Sequence, residues 1–233
     1  MAYGRPHCPV LSVGPTKGGP PSRQDNDRHR NSRPGRLFKV TFVSSKRYNQ
    51  AMIPHDLTFV LGGARSGKSV HAEQLAINSL RPVTYIATAQ RVGDEEFAAR
   101  IAHHRARRPA HWQLLEASVD LAGAVAQTDA PGHCILIDCL TLWLVNLLCP
   151  PDGTEPRDDY LARVAAFEAV LGSAKGTIIV VSNEIGLGVV PLGAATRLYV
   201  DELGRLNQRV AALSTQVTMM VAGLPLALKT AAR

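Results

Sequence analysis

Eight consecutive residues, Gly62-Gly63-Ala64-Arg65-Ser66-Gly67-Lys68-Ser69, satisfy the pattern GxxxxGK[ST]. In that pattern the glycines let the backbone curl until its N–H groups face phosphate oxygens. The lysine neutralises the β- and γ-phosphates, and the hydroxyl of the last residue ligates Mg²⁺. The helix that begins inside the motif adds the positive end of its dipole. A Gly-rich strand-to-helix turn that binds nothing is the plain alternative. Such a loop needs a carboxylate on a neighbouring strand to share its cation. Asp138, closing the run Cys-Ile-Leu-Ile-Asp (134–138), has that position. An Asp there could instead cap the following helix. Glu184, in Val-Ser-Asn-Glu-Ile-Gly-Leu-Gly (181–188), also follows an apolar run and reads equally well as a site carboxylate or a solvated loop residue.

A second constellation stands at Arg-Ile-Ala-His-His-Arg-Ala-Arg-Arg-Pro-Ala-His-Trp (100–112). Neutral imidazole is a competent nucleophile near pH 7, and it can attack a phosphorus centre to leave a covalent nucleotidyl intermediate. Arg105, Arg107 and Arg108 could hold a triphosphate and stabilise developing charge. The residues alone leave another option open. Phe97, Ile101 and His104 fall at helical spacing, so His104 shares an apolar stripe and could be a packed histidine, with the arginines a solvated face.

These groups need a scaffold that puts strand ends side by side. Leu57–Leu61 reads as a buried strand into the Gly-rich loop, with a helix from Lys68 to Leu80 behind it. Val83–Ala87 is a second strand and residues 94–107 a helix. Cys134–Asp138 is a third strand, followed by an apolar helix to Leu148. After a breaking loop over 149–157, residues 158–172 are helical. Thr177–Ser182 is a fourth strand. Tyr199, Leu203, Leu206, Val210 and Leu213 mark a long amphipathic helix before a last strand at Val217–Val221. Short β-branched runs alternating with helices predict an α/β fold, a mostly parallel sheet covered on both faces, with ligands on its carboxyl edge.

Charge is distributed unevenly. Of 26 Lys and Arg residues, ten fall in residues 1–51, against only two of the 19 Asp and Glu residues. The basic excess is thus confined to a stretch that also carries six prolines and five glycines and has no hydrophobic periodicity. It reads as a disordered basic extension, with residues 52–233 as one nucleotide-binding catalytic domain and Met52 as the expected natural start. The near-neutral body has no global electrostatic reason to bind nucleic acid. No apolar run reaches the length of a membrane span, and the N-terminus lacks a secretory apolar core, so a cytoplasmic location is expected. Cys134 and Cys139 read as small core residues.

Taken together, LGGARSGKS (61–69), YIATAQ (85–90), DEEFAARIAHHRARRPAHWQLLEA (94–117), LIDCLTLWLVNLL (136–148), VVSNEIGLGVVP (180–191) and GRLNQRVA (204–211) resemble the bifunctional adenosylcobinamide kinase / adenosylcobinamide-phosphate guanylyltransferases of cobalamin biosynthesis. The resemblance spans Leu57 to Lys229. It implies a P-loop sheet of the RecA type and a homotrimer with active sites near subunit interfaces. The implied chemistry is phosphorylation of the hydroxyl of adenosylcobinamide by ATP or GTP. GMP would then pass from GTP to adenosylcobinamide phosphate through a guanylylated histidine, here His104. It implies nucleotide contacts from Gly62 through Ser69, from Ala87, Thr88 and Ala89, from Arg105, Ala106, Arg107 and Arg108, and from Glu116 and Asp138. Ser69 and Asp138 are the implied Mg²⁺ ligands. Ala89 stands where relatives commonly have Ser, and Asp138 where some have Glu. With GTP bound, the helix carrying His104 is expected to shift so that the imidazole meets the α-phosphorus. Two other readings remain at this stage: a P-loop kinase for another small alcohol without covalent guanylylation, and a nucleotide-regulated or polyanion-binding module relying on the basic tail.

Overall fold

The computed structural model describes residues 56–90, 107–150 and 156–230. Seven strands form one sheet: β1 (Asp56–Gly62), β2 (Val83–Ala87), β3 (Gln113–Glu116), β4 (Cys134–Asp138), β5 (Thr177–Asn183), β6 (Gln216–Val221) and β7 (Leu224–Lys229). Their order is β3-β2-β4-β5-β1-β6-β7, all parallel except β7. The helices are α1 (Lys68–Asn78), α2 (Leu121–Thr128), α3 (Leu140–Leu148), α4 (Tyr160–Gly172) and α5 (Ala194–Leu213). This is a P-loop sheet of the RecA type, in which β5 separates the loop-bearing β1 from the carboxylate-bearing β4.

The central strands are buried on both faces, which is why they read as continuous apolar runs rather than alternating ones. On one face Leu57, Phe59, Ile135, Ile137, Ile178 and Val180 pack against α2 to α5. Trp143 of α3 and Phe167 of α4 meet there with ring centroids 5.2 Å apart, and neither is exposed. The Trp143 indole N–H donates to the Val119 carbonyl at 2.9 Å, so its one polar atom is satisfied. Truncating either ring to Ala would cost about 3–5 kcal/mol. On the other face Val60, Tyr85, Leu136, Ile179 and Val181 cover Ala72 and Ala76 of α1. Cys134 and Cys139 are buried and free, as small core residues would be.

Three elements lie outside the sequence expectation. Gln113–Glu116 is a four-residue edge strand with little burial to mark it. Leu121–Thr128 is a helix of small residues, started by Asp120, whose carboxylate accepts the Gly123 N–H at 3.0 Å. Leu224–Lys229 is an antiparallel edge strand, where Pro225 is tolerated because an edge leaves one side of the backbone unpaired. The helix expected over residues 94–107 falls outside the described residues up to position 106.

Candidate active site on the carboxyl edge of the sheet

The Gly-rich loop leaves β1 at Gly62, which pairs with Asn183 of β5 and Met220 of β6. Gly67 caps α1 with φ 93°, a left-handed conformation in which a β-carbon is disfavoured. No side chain caps α1, so its first N–H groups remain available along the loop, the arrangement of an anion cradle. The Lys68 Nζ donates back to the Gly63 carbonyl at 3.1 Å, folding over its own loop. The Ser66 Oγ is buried with no hydrogen-bond partner. The Ser66 carbonyl accepts the Gly223 N–H at 3.1 Å, so the β6–β7 turn braces the loop from beyond the sheet.

Asp138 ends β4, two strands from Gly62, or about 10 Å at the usual strand spacing. It is not the cap of α3, since Cys139 holds that position and no side chain caps the helix. Its Oδ2 instead accepts the Tyr85 hydroxyl at 2.6 Å. Burial, and then the Asp138 carboxylate, push the Tyr85 phenol well above its ordinary range, so it stays a donor. The Cys139 thiol is pushed up to about 11, chiefly by burial and then by Asp138, with the Lys68 ammonium acting in the opposite direction.

Ala87 pairs with Glu116 on one side and Asp138 on the other, placing all three on one rung of the carboxyl edge. Glu116 is exposed on β3, four strands from Gly62 and about 20 Å away. It does not join the loop cluster. The Thr88 side chain is engaged with backbone. Its Oγ1 donates to the Cys139 carbonyl at 2.7 Å and accepts the Cys139 N–H at 2.9 Å. The Asn146 Nδ2 donates to the Thr88 carbonyl at 2.8 Å and to the Ser118 carbonyl at 3.0 Å, tying α3 to the same corner. Ala89 follows, half-buried. Glu184 accepts the N–H of Gly186 at 2.7 Å, closing a turn in its own exposed loop.

His104, Arg105 and Ala106 lie outside the described residues. The two arginines after them are placed. Arg107 forms an ion pair with Glu73 of α1, Nη2 to Oε2 at 2.7 Å, and the Arg108 guanidinium lies 4.1 Å from the centroid of the Tyr85 ring. Glu73 and Tyr85 were not among the sequence candidates. Glu73 stands one helical turn after Ser69, a spacing that could have singled it out. Tyr85 looks like one more apolar residue of a buried strand.

A cation at this edge would meet hard oxygen donors: the Ser69 hydroxyl and the Asp138 carboxylate. Among the described residues no group of three or more His, Cys, Asp or Glu could form a cage. One carboxylate, one hydroxyl and substrate phosphates are the donor set that suits Mg²⁺, so these residues fit that ion.

The sequence model of the family "Cobinamide kinase / cobinamide phosphate guanyltransferase" matches residues 58–228. The chain belongs to this family. It is 55% identical over 170 residues to the bifunctional adenosylcobalamin biosynthesis protein CobP of Pseudomonas aeruginosa, covering 73% of this chain and 95% of that one. It is 39% identical over 182 residues to the bifunctional adenosylcobalamin biosynthesis protein CobU of Salmonella typhimurium, covering 74% and 99%. Solved structures similar to the chain include the RadB recombinase, at 18% identity and a TM-score of 0.41 over 70% of this chain and 73% of that one. The protein is therefore an enzyme of the cobinamide kinase / guanylyltransferase class, with a P-loop nucleotide site. No helix among the described residues is long and apolar enough to cross a membrane.

Proposed function

We propose that this enzyme phosphorylates the hydroxyl of adenosylcobinamide and then converts the product, adenosylcobinamide phosphate, to adenosylcobinamide-GDP. In the first step the substrate hydroxyl oxygen attacks the γ-phosphorus of ATP or GTP, the bridging P–O bond breaks, the nucleoside diphosphate leaves, and the hydroxyl proton passes to solvent. In the second a neutral ring nitrogen of His104 attacks the α-phosphorus of GTP. A P–N bond forms, the α–β bridging bond breaks, and pyrophosphate leaves. In the third a phosphate oxygen of adenosylcobinamide phosphate attacks the same phosphorus, the P–N bond breaks, and the imidazole is regenerated.

Support comes from the family membership and from the residues at the edge. The loop from Gly62 to Ser69, with Lys68 folded over it, suits the polyphosphate. Ser69 and Asp138 would hold Mg²⁺, which when bound neutralises charge on the phosphate oxygens. The observation that carries the reading is the anchoring of Arg107 and Arg108 on Glu73 and Tyr85, beside the loop helix and Asp138. Position 104 precedes Arg107 by three residues, a span of at most about 11 Å of chain. A nucleophile there is within reach of a nucleotide on this edge.

Incubation with GTP labelled at the α-phosphorus tests this. The expected result is a protein-bound GMP that is acid-labile, hydroxylamine-resistant, and absent from His104→Ala. Intact phosphorylation of adenosylcobinamide with no covalent label would leave a kinase alone.

The same reading includes a cytoplasmic homotrimer whose catalytic domain is residues 52–233. The exposed apolar side chains Leu224, Leu226 and Leu228 on β7, and Val189 and Leu192 after β5, are surface that a second copy would cover. Light scattering on the purified chain measures the assembly.

A further inference from the structure

The paired arginines after position 106 go to different seats, and one of those seats, Tyr85, also contacts Asp138. Tyr85 is 3% exposed and lies in the middle of β2, between Leu114 and Leu136 in register. Packing against α1 fixes its ring in place. The hydroxyl reaches along the sheet to Asp138 Oδ2, at the end of β4, at 2.6 Å, and the ring face carries Arg108 at 4.1 Å. A phenylalanine or leucine would fill the same core volume. The phenol adds a short hydrogen bond to the Asp138 carboxylate. A carboxylate at a strand end turns about two side-chain torsions, and a donor on a rigid buried ring selects one orientation. Groups that hold a metal ligand in this way commonly change metal affinity 10- to 100-fold when removed.

We propose that Tyr85 is a positioning residue that sets the orientation of the Asp138 carboxylate through its hydroxyl and seats Arg108 at the same edge through its ring. One side chain then aligns the carboxylate with the cation of the bound nucleotide and holds the C-terminal end of the segment that carries His104. The inference rests on the reading of Asp138 as a cation ligand. It extends that reading to a residue that acts through Asp138 and Arg108.

The test uses the full chain with GTP and Mn²⁺ as a paramagnetic probe. Free and bound Mn²⁺ are counted by electron paramagnetic resonance, and metal-free GTP affinity is measured calorimetrically in chelator. Tyr85→Phe keeps the ring and removes the hydroxyl. It should raise the Mn²⁺ dissociation constant about 10-fold or more while metal-free GTP affinity stays the same. In an Asp138→Asn background the same substitution should add nothing, because its route of action is gone. Arg108→Gln leaves the buried phenol untouched and should weaken metal-free GTP binding without changing Mn²⁺ affinity. Fluorotyrosine-labelled protein carries the test with the ring and hydroxyl kept at position 85. The fluorine resonance that moves in Asp138→Asn must be one that also moves when Mg²⁺ joins bound GTP. Unchanged Mn²⁺ affinity in Tyr85→Phe, a persistent effect in the Asp138→Asn background, unchanged GTP affinity in Arg108→Gln, or two different fluorine resonances would each overturn the proposal. Wild-type protein that binds GTP yet takes up no Mn²⁺ would instead sink the reading of Asp138, and the inference with it.

Discussion

Replacing Thr88 with valine should weaken the corner of the fold that presents Asp138, and the size of the loss follows from its contacts. Thr88 is completely buried and Cys139 is 7% exposed. The hydroxyl accepts the Cys139 N–H and donates to the Cys139 carbonyl. That carbonyl also accepts the Trp143 N–H at 3.2 Å, so it keeps a partner when the hydroxyl goes. The N–H loses its side-chain acceptor. An orphaned buried donor costs about 1–3 kcal/mol, and the second lost hydrogen bond about 1 kcal/mol. The added methyl returns about 1 kcal/mol. The net loss should be about 2 kcal/mol, or roughly 4–8 °C in Tm for a domain of this size. Thr88→Ser is the decisive control. It discards a buried methyl at about 1 kcal/mol but keeps the hydroxyl. Urea unfolding should therefore rank wild type above serine and serine above valine, against the order of hydrophobicity. Because Cys139 follows Asp138, valine should also reduce turnover with Mg²⁺ and GTP more than it reduces metal-free GTP binding. A valine variant as stable as the serine variant would refute the reasoning.

Three further outcomes are expected. Gly67→Ala places a β-carbon on a left-handed residue, 3.4 Å from the Gly223 Cα, and should lower stability by about 1–2 kcal/mol in urea while weakening GTP binding. Burial holds the Cys134 thiol above its ordinary value, followed by opposing effects of Ser79 and Arg81. Its contribution to stability is then fully present below the unfolded pKa of 9.0 and falls as pH rises past it. Cys134→Ala should show a flatter decline in urea midpoint above pH 9.0. Removing residues 1–51 should leave GTP affinity and melting temperature unchanged and abolish any binding to heparin. A truncated body that still bound heparin tightly would contradict the charge argument.

The strands that hold the site were readable because they are buried on both faces. Leu57–Leu61, Val83–Ala87, Cys134–Asp138 and Thr177–Ser182 have no polar alternation to blur the signal. The two edge strands were not readable. Gln113–Glu116 is short and mostly exposed, and Leu224–Lys229 contains a proline that argues against a strand anywhere except an edge. In the site, the Gly-rich loop is legible because consecutive residues build it. The pairings of Glu73 and Tyr85 are not, because their partners lie 34 and 53 residues away, although the helical spacing of Glu73 from Ser69 marks its position. Thr88 shows a third case: its position near the nucleotide edge could be inferred, but its hydroxyl is committed to the backbone of Cys139.

The brace between Gly223 and Ser66 has a consequence for biosynthesis. β1 emerges from the ribosome early, but its two sheet neighbours, β5 and β6, are made more than a hundred residues later, and the turn that supports its loop later still. The phosphate cradle therefore cannot take shape as translation proceeds. It must await the final strands, a demand on long-range pairing that slows folding and exposes apolar strands in the meantime. A chain stalled before Gly223 would contain every residue of the GxxxxGK[ST] motif and still lack a finished nucleotide site.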